Sequence, residues 1–343
     1  MISYRLRLGV LVWLLLILLP SPILGESGSL GDLNISIGII PSGSSSPFHQ
    51  ELINSANQSA VERGWKTIIL PPDTEENITA QKAAMQILIR DRVSAIALNA
   101  LNPSELSAEI SAAGAAGIPV LLYNTLSPVQ GVNITGYIGY NQYDGAAEMG
   151  SYASRLLADK KNESVGTVLG KVFILRGLPG FHANQRTDGF KAGLAQSPGI
   201  NVIGEEIAGW DRETARKIAS DALKADPDIE IMYGNSDEMA IGAALAAQEQ
   251  GKQINSDIFI LGVDGNSPTL DMIQNGTVTA TLGVYPDLMG ETVIDQIERL
   301  LKGESIAEYL ETPAFVVDSR QRDAYMNRST WTDPTDSGPE ILK

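Results

Sequence analysis

Short apolar runs and longer amphipathic stretches alternate along this chain from residue 33 onward. The apolar runs fall at 35–40, 67–70, 93–98, 119–123 and 137–139, then at 171–175, 201–207, 229–233, 259–263 and 277–284. Their near-continuous Ile, Val and Leu content predicts strands buried on both faces of a parallel sheet. Between them the apolar positions take helical spacing. Phe48, Leu52, Ala56 and Ala60 recur every four residues behind Ser46 as cap and Pro47 at the first helical position, and Gly64 closes the helix. Further helices are predicted over 75–90, 104–116, 143–159, 184–196, 212–225, 237–250, 267–275 and 287–302. The helix from 237 has Ser236 as cap, Asp237 and Glu238 at the positive end of its dipole, and Gly251 past its end. Repeated β-α units imply right-handed crossovers and doubly wound sheets. The pattern appears twice, before and after about residue 140. One sheet of ten strands satisfies it; two lobes of five or six strands suit 343 residues better.

The first residues do not share this pattern. Arg5 and Arg7 precede an apolar run over 8–19, which Pro20 breaks. The run is short of the ~20 residues that span a bilayer, so residues 1–27 read as an export signal, with an uncleaved membrane anchor as the alternative. No cysteine occurs in the chain, which excludes a lipoprotein anchor, disulfides and thiolate metal sites. Asn-x-Ser/Thr sequons at Asn34, Asn57, Asn77, Asn133, Asn162, Asn275 and Asn327 fit a cell-exterior location. The 25 Lys and Arg against 41 Asp and Glu leave a net charge of −16, which argues against a nucleic-acid partner.

A parallel α/β chain invites a nucleotide-enzyme reading, but both glycine phosphate cradles, G-x-G-x-x-G and G-x-x-x-x-G-K-[ST], are missing. So is the G-x-S-x-G nucleophile turn. With His49 and His182 as the two histidines there is no His-x-x-x-His metal pair, and the calcium-like start at Asp264 lacks its twelfth-position glutamate, since Asn275 stands there. No catalytic residue, metal or cofactor is predicted.

Ligands of open α/β sheets sit at the carboxyl ends of strands. The residues there are Ser42, Ser46, Phe48 and His49 after the first strand, and Asn124 and Thr125 after the fourth. Arg186 follows on the helix after the strand at 171–175, then Trp210, Asn235 and Asp264 at later strand ends. Hydroxyls, amides, an arginine, an acid and aromatic rings suit a small polyhydroxylated molecule. Its flat faces stack on rings, while its hydroxyl edges meet charged partners worth roughly 1.5–3 kcal/mol each.

Five motifs then occur in order. They are Gly38-x-x-Pro41 with Ser46-Pro47-Phe48, Gly117-Ile118-Pro119-Val120, Arg186-x-x-Gly189-Phe190, Asn235-x-Asp237-Glu238-Met239-Ala240, and Gly262-Val263-Asp264-Gly265. Over about 35–317 the chain resembles the type I periplasmic sugar-binding proteins of ABC importers, of the ribose-binding kind. The resemblance implies a periplasmic-binding-protein-like type I fold: two Rossmann-like lobes joined by a three-strand hinge, closing on a sugar. It implies crossings near Tyr140, Val284 and Pro313, and hence an N-terminal lobe of 33–140 plus 285–312, a C-terminal lobe of 141–284 plus 313–326, and a polar tail over 327–343. By the same resemblance Ser42, Ser46 and Phe48 are N-lobe contacts. Arg186, Trp210, Asn235 and Asp264 are C-lobe contacts, with Asp264 taking paired sugar hydroxyls. Ribose binders carry Asp-Arg where this chain has Asn124-Thr125, a hinge Gln where it has Val284, and a second Phe where it has His49, so another sugar, a deoxysugar or a less polar ligand fits as well as ribose. The resemblance implies a monomer at the periplasm or outer cell surface that delivers a sugar or polyol to an ABC permease. A ligand sensor docking on a chemoreceptor or sensor kinase is the alternative. A repressor sensor domain would need a helix-turn-helix where the apolar run at 8–19 stands.

Overall fold

A computed structural model describes residues 34–328. The export signal at 1–27, and all but the first two residues of the 327–343 tail, lie outside the described residues. The chain forms two α/β lobes, each built on a six-stranded sheet. In the first, β1 (Ser36–Ile40), β2 (Lys66–Ile69), β3 (Ala95–Leu98), β4 (Val120–Tyr123), β5 (Gly136–Gly139) and β11 (Tyr309–Glu311) lie in the order β2-β1-β3-β4-β5-β11, all parallel. In the second, β6 (Gly170–Arg176), β7 (Ile200–Ile207), β8 (Ile231–Gly234), β9 (Phe259–Asp264), β10 (Ala280–Gly283) and β12 (Phe315–Val317) lie in the order β7-β6-β8-β9-β10-β12. There β12 runs antiparallel to β10 at the edge. The chain passes between the sheets after β5, after β10 and between β11 and β12.

The unbroken apolar runs are explained by which face each residue serves. On β3, Ala95 and Ala97 face one core while Ile96 and Leu98 face another; on β4, Leu121 and Tyr123 oppose Val120 and Leu122. On β6, Val172 and Ile174 oppose Phe173 and Leu175. With helices on both sides there is no polar face for a strand to present. Helices α1 (Pro47–Glu62) and α9 (Pro286–Leu301) pack together on one face of the first sheet; α2 (Ile78–Arg90) and α3 (Ser107–Ala115) cover the other. In the second lobe α4 (Gln142–Lys161) and α5 (Phe181–Leu194) pair on one face, and α6 (Arg212–Ala225), α7 (Asp237–Glu249) and α8 (Ser267–Gln274) lie on the other. The α4–α5 contact is backbone-close: Gly150, Gly189 and Gly193 each sit where a Cβ would collide with the other helix's main chain.

The predicted helices and ten of the strands are present, with ends shifted by a few residues. The short strands β11 and β12 and the five-residue α10 (Arg322–Met326) were not predicted. Three residues carry no readable period, and β11 and β12 exist because the edges of β5 and β10 are there to pair with.

Candidate functional site

The strand ends of both sheets meet at one cavity between the lobes. The N-lobe contributes Ser42 from the turn after β1, Ser46, Phe48 and His49 from the start of α1, and Asn124 from the turn after β4. The C-lobe contributes Arg186 from α5, Trp210 after β7, and Asp264 at the end of β9. Eight of the ten residues singled out by sequence thus come together. Thr125 lines a neighbouring recess with Tyr140, Gln142 and Phe181, and its hydroxyl accepts the Ser127 N–H. Asn235 lies beneath the cavity, fully buried. Its Oδ1 accepts from the Gly177 N–H and the Thr187 hydroxyl, while its Nδ2 has no partner.

Three further residues line the cavity: Glu75, His182 and Ser236. His182 carried a signal that could have found it, because it stands four residues before Arg186 on α5 and so shares its helix face. Ser236 is the cap of α7 as well: its Oγ accepts the Met239 N–H. Glu75 sits in the loop between β2 and α2, where no local pattern marks it.

Local backbone conformation aims these side chains. Asn124, Trp210 and Asp264 all have positive φ, at 60°, 65° and 134°. Non-glycine residues hold such angles when the surrounding structure over-determines them, and they gather at ligand sites. Gly139 lets the Asn124–Thr125 turn approach: a Cβ there would lie 2.5 Å from the Thr125 nitrogen.

The C-lobe wall is a network centred on Arg186, which is 4% exposed. Its guanidinium donates to Asp264 Oδ1 at 3.1 Å and to the Asn235 carbonyl at 2.7 Å, and its Nε donates to Gln142 Oε1 at 3.1 Å. It also lies 5.7 Å from the centre of the Trp210 ring, in cation–π range. Below it Asp237 is buried too, with Oδ2 accepting from the Gly265 and Asn266 N–H groups and Oδ1 from the Thr281 hydroxyl. Burial pushes both carboxyls above the ordinary carboxylate range; Arg186 pulls Asp264 back down, while the neighbouring Asp264 drives Asp237 further up.

The same network fixes the tautomer of His182. The Arg186 Nε–H can only donate, so Gln142 must turn Oε1 toward it. The Gln142 amide nitrogen then donates to the Asn124 carbonyl at 2.7 Å and to His182 Nδ1 at 2.6 Å. His182 Nδ1 is therefore bare and its Nε2 carries the hydrogen. Burial, with Arg186 and His49 close by, lowers its pKa to about 3, so the ring is neutral. Gln142 also ties the N-lobe carbonyl of Asn124 to the C-lobe helices. On the N-lobe wall, His49 Nε2 lies 3.2 Å from Glu75 Oε1 and 3.2 Å from the Ser42 hydroxyl, which accepts from Asn99 Nδ2. Asn124 Oδ1 is buried without a partner. Among the described residues no cluster of His, Asp and Glu could hold a metal ion, and no helix is long and apolar enough to cross a membrane.

Two doubly wound lobes that enclose polar side chains and aromatic rings between their strand ends define a two-lobed solute-binding protein. The chain belongs to the family described as periplasmic binding protein domain, whose model matches residues 37–305. It is 28% identical over 288 residues to the ribose import binding protein of Bacillus subtilis, covering 84% of this chain and 88% of that one. It is 27% identical over 269 residues to a D-apiose import binding protein of Paraburkholderia graminis, covering 78% and 81%. An ABC transporter solute binding protein from Mycobacterium smegmatis, solved with bound glycerol, superposes with a TM-score of 0.75 at 26% identity, covering 85% of this chain and 96% of that one.

Proposed function

We propose that this chain is an exported, monomeric solute-binding protein. It captures a sugar or polyol between its lobes and presents the closed complex to an ABC permease, without covalent chemistry. The observation that carries the reading is the buried Arg186–Asp264 pair beside Trp210, facing Phe48, Ser42 and Asn124 across the cavity between the lobes. A ring seated there has donors and acceptors on its hydroxyl edges and aromatic surfaces for its apolar faces. A ligand that touches both walls favours the closed arrangement because only that arrangement offers all the contacts. In this reading residues 1–27 direct export, and the absence of cysteine leaves no site for a lipid-modified N-terminus.

A thermal-shift screen over pentoses, hexoses, polyols and nucleosides tests the reading, since a ligand that binds only the folded state raises the melting temperature by mass action. At least one sugar or polyol is expected to do so, and Asp264→Asn is expected to abolish the shift. Melting unmoved by every sugar and polyol refutes the proposal.

A further inference from the structure

We infer that Glu75 is a specificity-determining ligand contact of the N-lobe, and that it selects a neutral polyhydroxylated ligand over a sugar acid. The inference rests on the solute-binding reading above and adds the chemistry of one wall. Glu75 lines the cavity from a loop remote in sequence from the other N-lobe contacts. Its side chain is 18% exposed, and His49 Nε2 holds Oε1 at 3.2 Å. A carboxylate oxygen cannot donate, so the Nε2 hydrogen points at Glu75 and the pair is oriented. No other hydrogen bond to the Glu75 side chain is present among the described residues, which leaves Oε2 for a ligand.

The turn after β1 is shaped for this carboxylate. At Gly43 a Cβ would stand 2.6 Å from Glu75 Oε1, so any larger residue turns Glu75 out. The cavity is polarised as a result. The N-lobe wall offers acceptors, Glu75 Oε2 and the unpartnered Asn124 Oδ1. The C-lobe wall offers donors, the Arg186 guanidinium and the His182 Nε2–H. A molecule with hydroxyl hydrogens toward Glu75 and ring or hydroxyl oxygens toward Arg186 satisfies both walls. A sugar whose carboxylate or phosphate replaces a hydroxyl on the N-lobe side would set that anion against Glu75.

The test is calorimetry at pH 7 with D-ribose, D-apiose, myo-inositol and glycerol as neutral probes and D-galacturonate as the acid. Glu75→Gln is expected to weaken the best neutral probe about 10- to 100-fold, the range of one charge-assisted hydrogen bond. Gly43→Ala is expected to reproduce that loss in the wild-type background and to add nothing in Glu75→Ala, with circular dichroism unchanged in all variants. Wild-type affinity in Glu75→Gln, an undiminished Gly43→Ala effect in Glu75→Ala, or galacturonate bound as tightly as the neutral probes overturns the inference. If Asp264→Asn loses affinity while the Glu75 variants do not, the solute-binding reading stands and this inference falls. If the wild type binds neither these probes nor any sugar or polyol of the thermal-shift screen, both fall.

Discussion

Replacing Arg186 by methionine keeps much of the side chain's volume and removes its charge and its donors. Three buried acceptors then lose their partner at once: Asp264 Oδ1, the Asn235 carbonyl and Gln142 Oε1. Asp264 is 5% exposed and Asp237 is fully buried beside it. Removing one member of a buried ion pair costs about 3–5 kcal/mol, a large share of the roughly 5–15 kcal/mol by which a domain is stable. Arg186→Met is therefore expected to lose about that much in urea unfolding at pH 7, followed by circular dichroism. Arg186→Met combined with Asp264→Asn is expected to recover at least ~2 kcal/mol, because no uncompensated charge remains. The sign of the pH dependence follows from the same geometry. Burial already raises Asp264, and without Arg186 its folded pKa rises further above the unfolded value of about 3.9. Wild-type Asp264 is itself raised to about 6, so the part of the deficit that comes from its charge is absent near pH 4 and grows from about pH 6 up to the higher folded pKa of the variant. The lost partners of the Asn235 carbonyl and Gln142 Oε1 cost the same at every pH. A deficit below ~1 kcal/mol at pH 7, one that is the same at pH 4 and 7, or a double variant no better than the single would refute the reasoning.

Three other expectations can be measured on the same footing. His182 stays neutral down to about pH 3 when folded, whereas an unfolded histidine takes up a proton near pH 6.5. Its contribution to stability is therefore lost progressively as pH falls through that window, and His182→Gln should lose about 2 kcal/mol less than wild type between pH 7 and pH 5. Gly193→Ala drives a Cβ into the Ala147 main chain and should cost about 1–3 kcal/mol or more. Gly114→Ala on α3 meets nothing within 4 Å and should stabilise by about 0.5–1 kcal/mol; equal effects in chemical denaturation would contradict the helix-packing account. Glu51 on α1 accepts the Ser267 N–H at the start of α8 across the cleft at 3.0 Å. Glu51→Ala should raise the Kd of a bound sugar several-fold by removing about 1 kcal/mol of closed-state contact, and an unchanged Kd by calorimetry would exclude that role.

The sequence was most readable where one residue's neighbours in the chain are also its neighbours in space. Ser46 accepts the His49 N–H, Asn266 the Thr269 N–H, and Asp211 the Thr214 N–H, so these helix starts are visible as four-residue patterns. The same holds for much of the site. Asn124, Trp210 and Asp264 follow strands directly, and doubly wound topology carries strand ends to one edge of each sheet. Glu75 was not readable: its place in the cavity depends on His49 from 26 residues earlier in the chain and on the space left at Gly43. Asn235 was readable as a strand-end amide, but its burial under Arg186 was not.

The periodicity of apolar residues was enough to establish the elements, their α/β alternation and a doubling of the pattern near residue 140. Those properties depend on which face of each element must leave water, and that information is local. Local pattern does not say which strand joins which sheet. Strands β11 and β12 lie only a few residues apart in the chain, yet they pair with β5 in one lobe and β10 in the other. Nor does it assign protons. His182 is neutral with its hydrogen on Nε2 because Arg186, on the same helix, and Gln142, forty residues away, leave its amide partner one orientation. Hydrogen-bond direction and desolvation belong to an assembled set of groups rather than to any one of them, so they are settled only when the lobes are folded and facing each other.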